Sequence, residues 1–157
     1  MKKILATVAA ILALFVMTVS PAMAAEEAVG LFPACYGIGS GLDGAPYFEV
    51  ELFVDSARGK VTGEGEIFQA VNPPLDIQTK LLGSYGIANV IQAIGYPDID
   101  WPPQAGTGPV TQSNVELLML LSKDNQSGEA IYGYRREEFG DFEFVGPVPA
   151  TSVPCFK

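Results

Sequence analysis

Residues 46–55 alternate between apolar and polar side chains, and this period of two constrains the fold more than any other feature of the chain. The apolar positions are Phe48, Val50, Leu52 and Val54. A strand with one buried face shows this alternation. Comparable short segments recur between turns rich in glycine and proline, and residues 25–157 show no helical period. The sequence therefore predicts an all-β domain.

Glycines on one face of residues 61–67 indicate how the sheet is shaped. Glu64 and Glu66 point to one side, and Gly63, Gly65 and Ile67 point to the other. With Glu49 and Glu51 on the preceding strand, these glutamates predict an acidic, solvated outer face. Inward glycines are typical of a strand that bends sharply or that another backbone approaches closely. Eight short strands are predicted; the sixth spans residues 115–121, and the eighth spans residues 142–145 before a proline-rich tail. Residues 84–86 are predicted as a turn after the fourth strand. This pattern predicts an antiparallel up-and-down barrel, with a β-sandwich as the alternative.

An outer-membrane barrel would have the same number of strands and would also need export. The predicted turns do not alternate between long and short, and the chain ends in Cys155-Phe-Lys outside any apolar strand. Small soluble barrels instead pack aliphatic and aromatic side chains inward. These features favour the soluble barrel.

The first 24 residues have the pattern of a cleavable signal peptide. Lys2 and Lys3 precede an apolar stretch, and Ala22-Met-Ala24 fits the small-x-small cleavage rule. A membrane anchor is the alternative. Cleavage would leave one β-domain, residues 25–157, in the periplasm or outside the cell. Its contact with the membrane would be limited to the cleaved signal peptide. Loss of the two lysines changes the formal net charge from −9 to −11.

Charge and composition exclude several function classes. The chain has 18 acidic and 9 basic residues, so we expect no binding to nucleic acid. It has no histidine, which excludes Ser-His and Cys-His catalytic arrangements and histidine-based metal sites. We expect no cofactor and no metal centre.

The two cysteines, Cys35 and Cys155, lie near the two ends of the predicted domain. An even cysteine count in an exported protein favours pairing, so the sequence predicts one disulfide that joins the ends. Two free thiols or an intermolecular bond are the alternatives.

Three segments resemble a bacterial family of small proteins known only as a domain of unknown function. They are Gly30-Leu-Phe-Pro-Ala-Cys-Tyr, residues 61–82 with the core Gln69-Ala-Val-Asn-Pro-Pro-Leu-Asp, and Gly95-Tyr-Pro with Trp101-Pro-Pro and Gly106-Thr-Gly-Pro-Val. The resemblance covers roughly residues 29–135. It implies a compact β-domain and carries no activity or site.

Asp98, Asp100 and Trp101, within a proline-rich stretch, form the most site-like group in the sequence. Two carboxylates beside an indole could hold calcium, or act as an acid–base pair on a bound sugar. The simpler interpretation places Trp101 at one end of the barrel and leaves the two acids in water. A glycoside hydrolase that uses these carboxylates is therefore a minor hypothesis.

Leu118 and Leu120 occupy the side of a predicted strand that should face solvent. An apolar row of this kind usually marks a partner surface or a covered face, so a homodimer is one interpretation. The favoured function is an exported, non-catalytic module that binds a small apolar ligand or a protein partner. A structural or interaction protein of the cell envelope is the alternative.

Overall fold

The computed structural model describes residues 30–98 and 112–155. Eight strands run in chain order: β1 Leu31–Ile38, β2 Tyr47–Asp55, β3 Lys60–Gln69, β4 Leu75–Gly86, β5 Val90–Tyr96, β6 Val115–Leu121, β7 Ser127–Tyr134 and β8 Glu143–Ser152. Each strand pairs antiparallel with the next, and β8 pairs with β1. The predicted eight-stranded up-and-down barrel is therefore confirmed over the sandwich.

The predicted signal peptide lies outside the described residues. Across the described ranges, no helix has the length and apolar character needed to cross a membrane.

Alternating side chains divide each strand between a packed interior and an outer surface. On β2 and β6, every second residue is buried in the core: Phe48, Val50, Leu52, Val54, Val115, Leu117, Met119 and Leu121. The intervening positions face outward and include Glu49 and Glu51. The apolar interior differs from the polar interior of outer-membrane barrels.

The inward glycines of β3 allow the barrel to curve tightly. A Cβ atom built on Gly63 would lie 2.9 Å from the Cα of Leu52 and 3.0 Å from the carbonyl carbon of Glu51. A Cβ on Gly65 would lie 2.6 Å from the ring of Phe48. The prediction that another backbone closely approaches this strand is confirmed.

Two strands extend further than the sequence predicts. Ser84–Gly86 was predicted as a turn but belongs to β4, and the reversal follows at Ala88 and Asn89, where φ is 64° and 57°. The proline-rich tail also forms most of β8, which pairs with β7 over most of this stretch and with β1 only from Ala150 to Ser152. Proline is tolerated where a strand edge has no ladder partner.

The barrel closes at a short seam. β1 and β8 share three residue pairs, whereas β1 and β2 share eight. Beyond the seam, the Val153 amide donates to the Cys35 carbonyl over 3.0 Å. The final residues of the described chain therefore run along β1 and bring Cys155 to Cys35.

Candidate functional site

The interior is filled by side chains, including three buried tyrosines. Tyr36 donates its hydroxyl hydrogen bond to the Asn125 carbonyl over 2.8 Å, and Tyr132 donates to the Pro46 carbonyl over 3.0 Å. Burial raises the pKa of Tyr36 to about 12, with smaller contributions from Tyr85 and Asp124. Burial likewise raises the pKa of Tyr132 above its ordinary value. These rings pack the core, so the candidate site lies on the outer surface.

Four glutamates form an acidic face across β2 and β3. In the strand register, Glu49 lies opposite Glu66, and Glu51 lies opposite Glu64. These side chains line a groove of about 280 Å³ that also includes Gln78, Lys80 and Asp98. Like charges directly opposite each other on neighbouring strands are destabilising. The fold thus concentrates negative charge here at a cost to its own stability.

Lys80 partly offsets this negative charge. Its Nζ lies 2.7 Å from Oδ1 of Asp98. The hydrogen bond to Asp98 raises the pKa of Lys80, and the charges of Asp98 and Glu64 add to the effect. Asp98 therefore holds a surface ion pair. Asp100 and Trp101 lie outside the described residues, so their grouping with Asp98 stays a prediction.

Large apolar side chains form a second surface, which we call the apolar band. Its members are Phe53, Leu82, Ile94, Leu118, Leu120 and Ile131, between 40% and 57% exposed. In the strand register, Leu82 pairs with Ile94, Leu118 pairs with Ile131, and Ile94 and Leu118 are diagonal neighbours across β5 and β6. Thr62 on β3 lies between Phe53 and Leu82. The outward exposure predicted for Leu118 and Leu120 is confirmed.

The apolar band meets the acidic face at a wider groove. This groove, of about 630 Å³, is lined by Phe53, Leu82, Tyr96 and Pro97 together with Glu51, Glu64 and Lys80. Glu51, Glu64 and Lys80 also line the smaller groove. One continuous outer surface thus combines an acidic half with an apolar half.

The sequence alone does not predict most members of the apolar band. Phe53, Leu82, Ile94 and Ile131 occupy outward positions of alternating strands, which is the signal that also identified Leu118 and Leu120. Each occurs singly on its own strand, where one exposed apolar residue is ordinary. Only the strand order and register bring them together.

The predicted disulfide between Cys35 and Cys155 is confirmed, with their Cα atoms 5.3 Å apart. Cys35 faces outward on β1 but is only 4% exposed. Glu51 lies directly opposite Cys35 on β2. The bond is compatible with an oxidising extracellular compartment.

A charged cluster joins β7 to β8 away from the acidic face. Arg136 Nε lies 2.7 Å from Oε1 of Glu143, and this hydrogen bond holds the pKa of Glu143 below its ordinary value. Tyr134 also donates to Glu143, and the Arg135 guanidinium lies 4.3 Å from the centroid of the Phe142 ring. These contacts fasten the end of the β7–β8 hairpin.

A search of curated proteins gives no match to this chain. The resemblance to a family of unknown function is supported by a family profile that matches residues 29–139, which span β1 to β7. The chain belongs to the family described as Domain of unknown function (DUF1842).

Proposed function

We propose that this protein is an exported, non-catalytic binding module that docks a protein partner on its outer surface. The partner would present an apolar strip to the apolar band and basic side chains to the acidic face. Export to the periplasm or the cell exterior is supported by the signal-peptide pattern and by the disulfide.

The apolar band is the observation that carries this proposal. Exposed large apolar side chains extend from Phe53 on β2 to Ile131 on β7, and contiguous apolar patches on soluble proteins commonly mark interaction sites. The packed interior favours an outer surface over a ligand held inside the barrel.

The acidic face indicates that the partner carries basic side chains. The two opposed glutamate pairs lower the stability of the sheet, and local departures from good sequence design concentrate at functional sites. Basic side chains on the bound partner would relieve the repulsion within both glutamate pairs. Complementary charge also increases association rates and suppresses acidic competitors.

Designed peptides test the proposal without knowledge of the natural partner. The probe is a peptide with alternating lysine and leucine, compared with an alternating glutamate–leucine peptide and a lysine–serine peptide of equal length. Titration calorimetry should show binding of the lysine–leucine peptide and no binding of the other two peptides. Added salt should weaken this binding, because the groove charges are exposed to solvent.

Paired variants assign the binding to the apolar band. Leu118→Gln combined with Ile94→Gln should weaken the lysine–leucine peptide by roughly tenfold or more, a loss of about 1.4 kcal/mol. The matched control is Ile87→Gln, because Ile87 is 99% exposed and lies outside the band. Unchanged affinity in the band variant, or equal binding of the glutamate–leucine peptide, would contradict the proposal. A dimer that Leu118→Gln disrupts would instead identify a second copy as the occupant.

A further inference from the structure

Three potential metal ligands lie together at the end of the barrel seam. The Sγ atoms of Cys35 and Cys155 and a carboxylate oxygen of Glu51 all lie within 4.8 Å of one another. In the oxidised chain the two sulfurs are bonded to each other, so neither is available as a thiolate. Reduction would convert this group into two thiols beside one carboxylate.

We infer that the reduced chain binds a tetrahedral divalent cation of the Zn²⁺ type through Cys35, Cys155 and Glu51. Thiolate and carboxylate are ligands that Zn²⁺ accepts, at about 2.3 Å for sulfur and about 2.0–2.2 Å for oxygen. Three protein ligands leave the fourth position to water. The inference does not rest on the proposed partner binding, although Glu51 also lines both grooves.

The strand ladder supplies the geometry of this site without the disulfide. Cys35 and Glu51 are opposite residues in the β1–β2 register, so their side chains leave the same outer face. The hydrogen bond from the Val153 amide to the Cys35 carbonyl keeps the last segment beside β1. We therefore expect this segment to keep the Cys155 Sγ near Cys35 and Glu51 after reduction.

The local charge also favours a cation. Two thiolates and the Glu51 carboxylate carry three negative charges, and Glu64 lies opposite Glu51 on the far side. Lys80, which lines both grooves beside Glu51, is engaged with Asp98. A bound dication would neutralise most of this charge.

A phosphine reduces the disulfide by a two-electron transfer. The phosphine takes the oxygen of one water molecule and becomes a phosphine oxide, and the two water hydrogens go to the Sγ atoms of Cys35 and Cys155. The cation then displaces both thiol protons to solvent. In the reverse direction, a disulfide oxidant accepts two electrons from the bound thiolates and is cleaved to two thiolates. The Cys35–Cys155 bond re-forms and the cation is released, so the metal and the disulfide exclude each other.

Cobalt titration of the full chain tests the site. The protein is reduced with a phosphine, freed of reductant without oxygen and titrated with Co²⁺. The expected result is one equivalent of bound Co²⁺ with tetrahedral d–d absorption and thiolate charge-transfer absorption. Zn²⁺ should displace the Co²⁺ and raise the midpoint of denaturation of the reduced chain. The oxidised protein should give neither absorption.

Glu51→Gln is the informative variant. Its Co²⁺ affinity should fall by at least the roughly 10- to 100-fold that loss of an outer-shell partner costs. Glu66→Gln is the matched control, since Glu66 lies on the acidic face but outside the ligand group. Equal affinity in the Glu51→Gln and Glu66→Gln variants would overturn the assignment. Absence of tetrahedral bands, or a reduced chain that loses its sheet circular dichroism and does not regain it with Zn²⁺, would overturn it too.

Discussion

At the scale of single residues, Gly63 shows how closely the strands of this barrel approach each other. Its missing side chain leaves space for the backbone of Glu51 and Leu52 on β2. Neither backbone atom can move away without disturbing the β2–β3 ladder. Main-chain atoms of β2 therefore limit the size of the side chain at position 63.

Gly63→Ala should destabilise the fold by about 1–3 kcal/mol, the usual cost of overpacking a filled interior. Urea denaturation measures this change in the free energy of unfolding. Gly140→Ala is the control, because its added Cβ would lie 3.4 Å from its nearest neighbour, the carbonyl oxygen of Glu137. Equal stability of the two variants would show that the β2–β3 pair can relax.

Tyr36 should make stability sensitive to alkaline pH. Burial raises its pKa from 10.0 in the unfolded chain to about 12 in the fold, so the folded state holds the proton more tightly. The stability from the neutral ring is complete below pH 10 and is lost as pH rises from 10 to 12.

Tyr36→Phe should cost about 0.5–1.5 kcal/mol at neutral pH, because the hydrogen bond to the Asn125 carbonyl is lost. The decline in stability above pH 10 should then be shallower than in the parent. Urea denaturation at several pH values checks both effects, with Tyr96→Phe on the outer face as the control. An unchanged alkaline decline would assign it to other groups.

At the scale of elements, the sequence predicts strand ends correctly where inward and outward side chains alternate. It misplaces them where backbone conformation or strand pairing sets the end of the strand. Val115–Leu121 matches β6 at both ends, since its inward and outward positions alternate without interruption. The end of β4 was misplaced because the turn uses Ala88 and Asn89 with positive φ, and alanine gives no such signal. β8 was shortened because Pro147 and Pro149 argue against a paired strand unless the position of its edge is known.

The candidate surface was less predictable than the fold. Sequence reasoning identified Leu118 and Leu120 from one strand, but it interpreted the glutamates of β2 and β3 as a solvated outer face. Their opposition follows from the β2–β3 register, which a sequence pattern does not specify. The apolar band likewise depends on the register of β4 with β5 and of β6 with β7.

Glu66→Lys should stabilise the sheet by about 0.2–1 kcal/mol, because it replaces repulsion from Glu49 with attraction across β2 and β3. Thermal melts at low and high salt measure the gain, which salt should reduce. Glu129→Lys is the control, since Glu129 lies between Leu120 and Pro149 in the register. The same gain in both variants would indicate a general effect of lowering the net charge.

At the scale of the whole molecule, the disulfide reinforces the shortest pairing in the barrel. Cys35 and Cys155 are separated by 120 residues in sequence and lie beyond one end of the three-pair seam between β1 and β8. A crosslink over so long a loop restricts the unfolded chain strongly, with about 5 kcal/mol expected from chain entropy.

Replacement of both cysteines, Cys35→Ala with Cys155→Ala, should therefore lower the free energy of unfolding by about 2–5 kcal/mol. Guanidinium denaturation measures this loss. Amide hydrogen exchange should accelerate first at Tyr36, Gly37 and Ile38, whose partners are on β8. Uniform acceleration across all strands would indicate that the seam is no weaker than the rest of the ladder.

The juxtaposition of Cys35 and Cys155 makes the polypeptide nearly a ring. Cys155 lies 5.3 Å from Cys35, Cα to Cα, and Cys35 is four residues beyond the start of β1. A linker of about five to eight residues, at about 3.3 Å for each extended residue, could therefore join the region before β1 to the region after β8. The chain could then be opened at Ile87, in the exposed connection between β4 and β5. Such a circular permutant would begin with β5 and end with β4, yet every strand would keep both neighbours. The barrel thus requires the cyclic order of its strands, and the same strand pairs form whichever strand comes first in the chain.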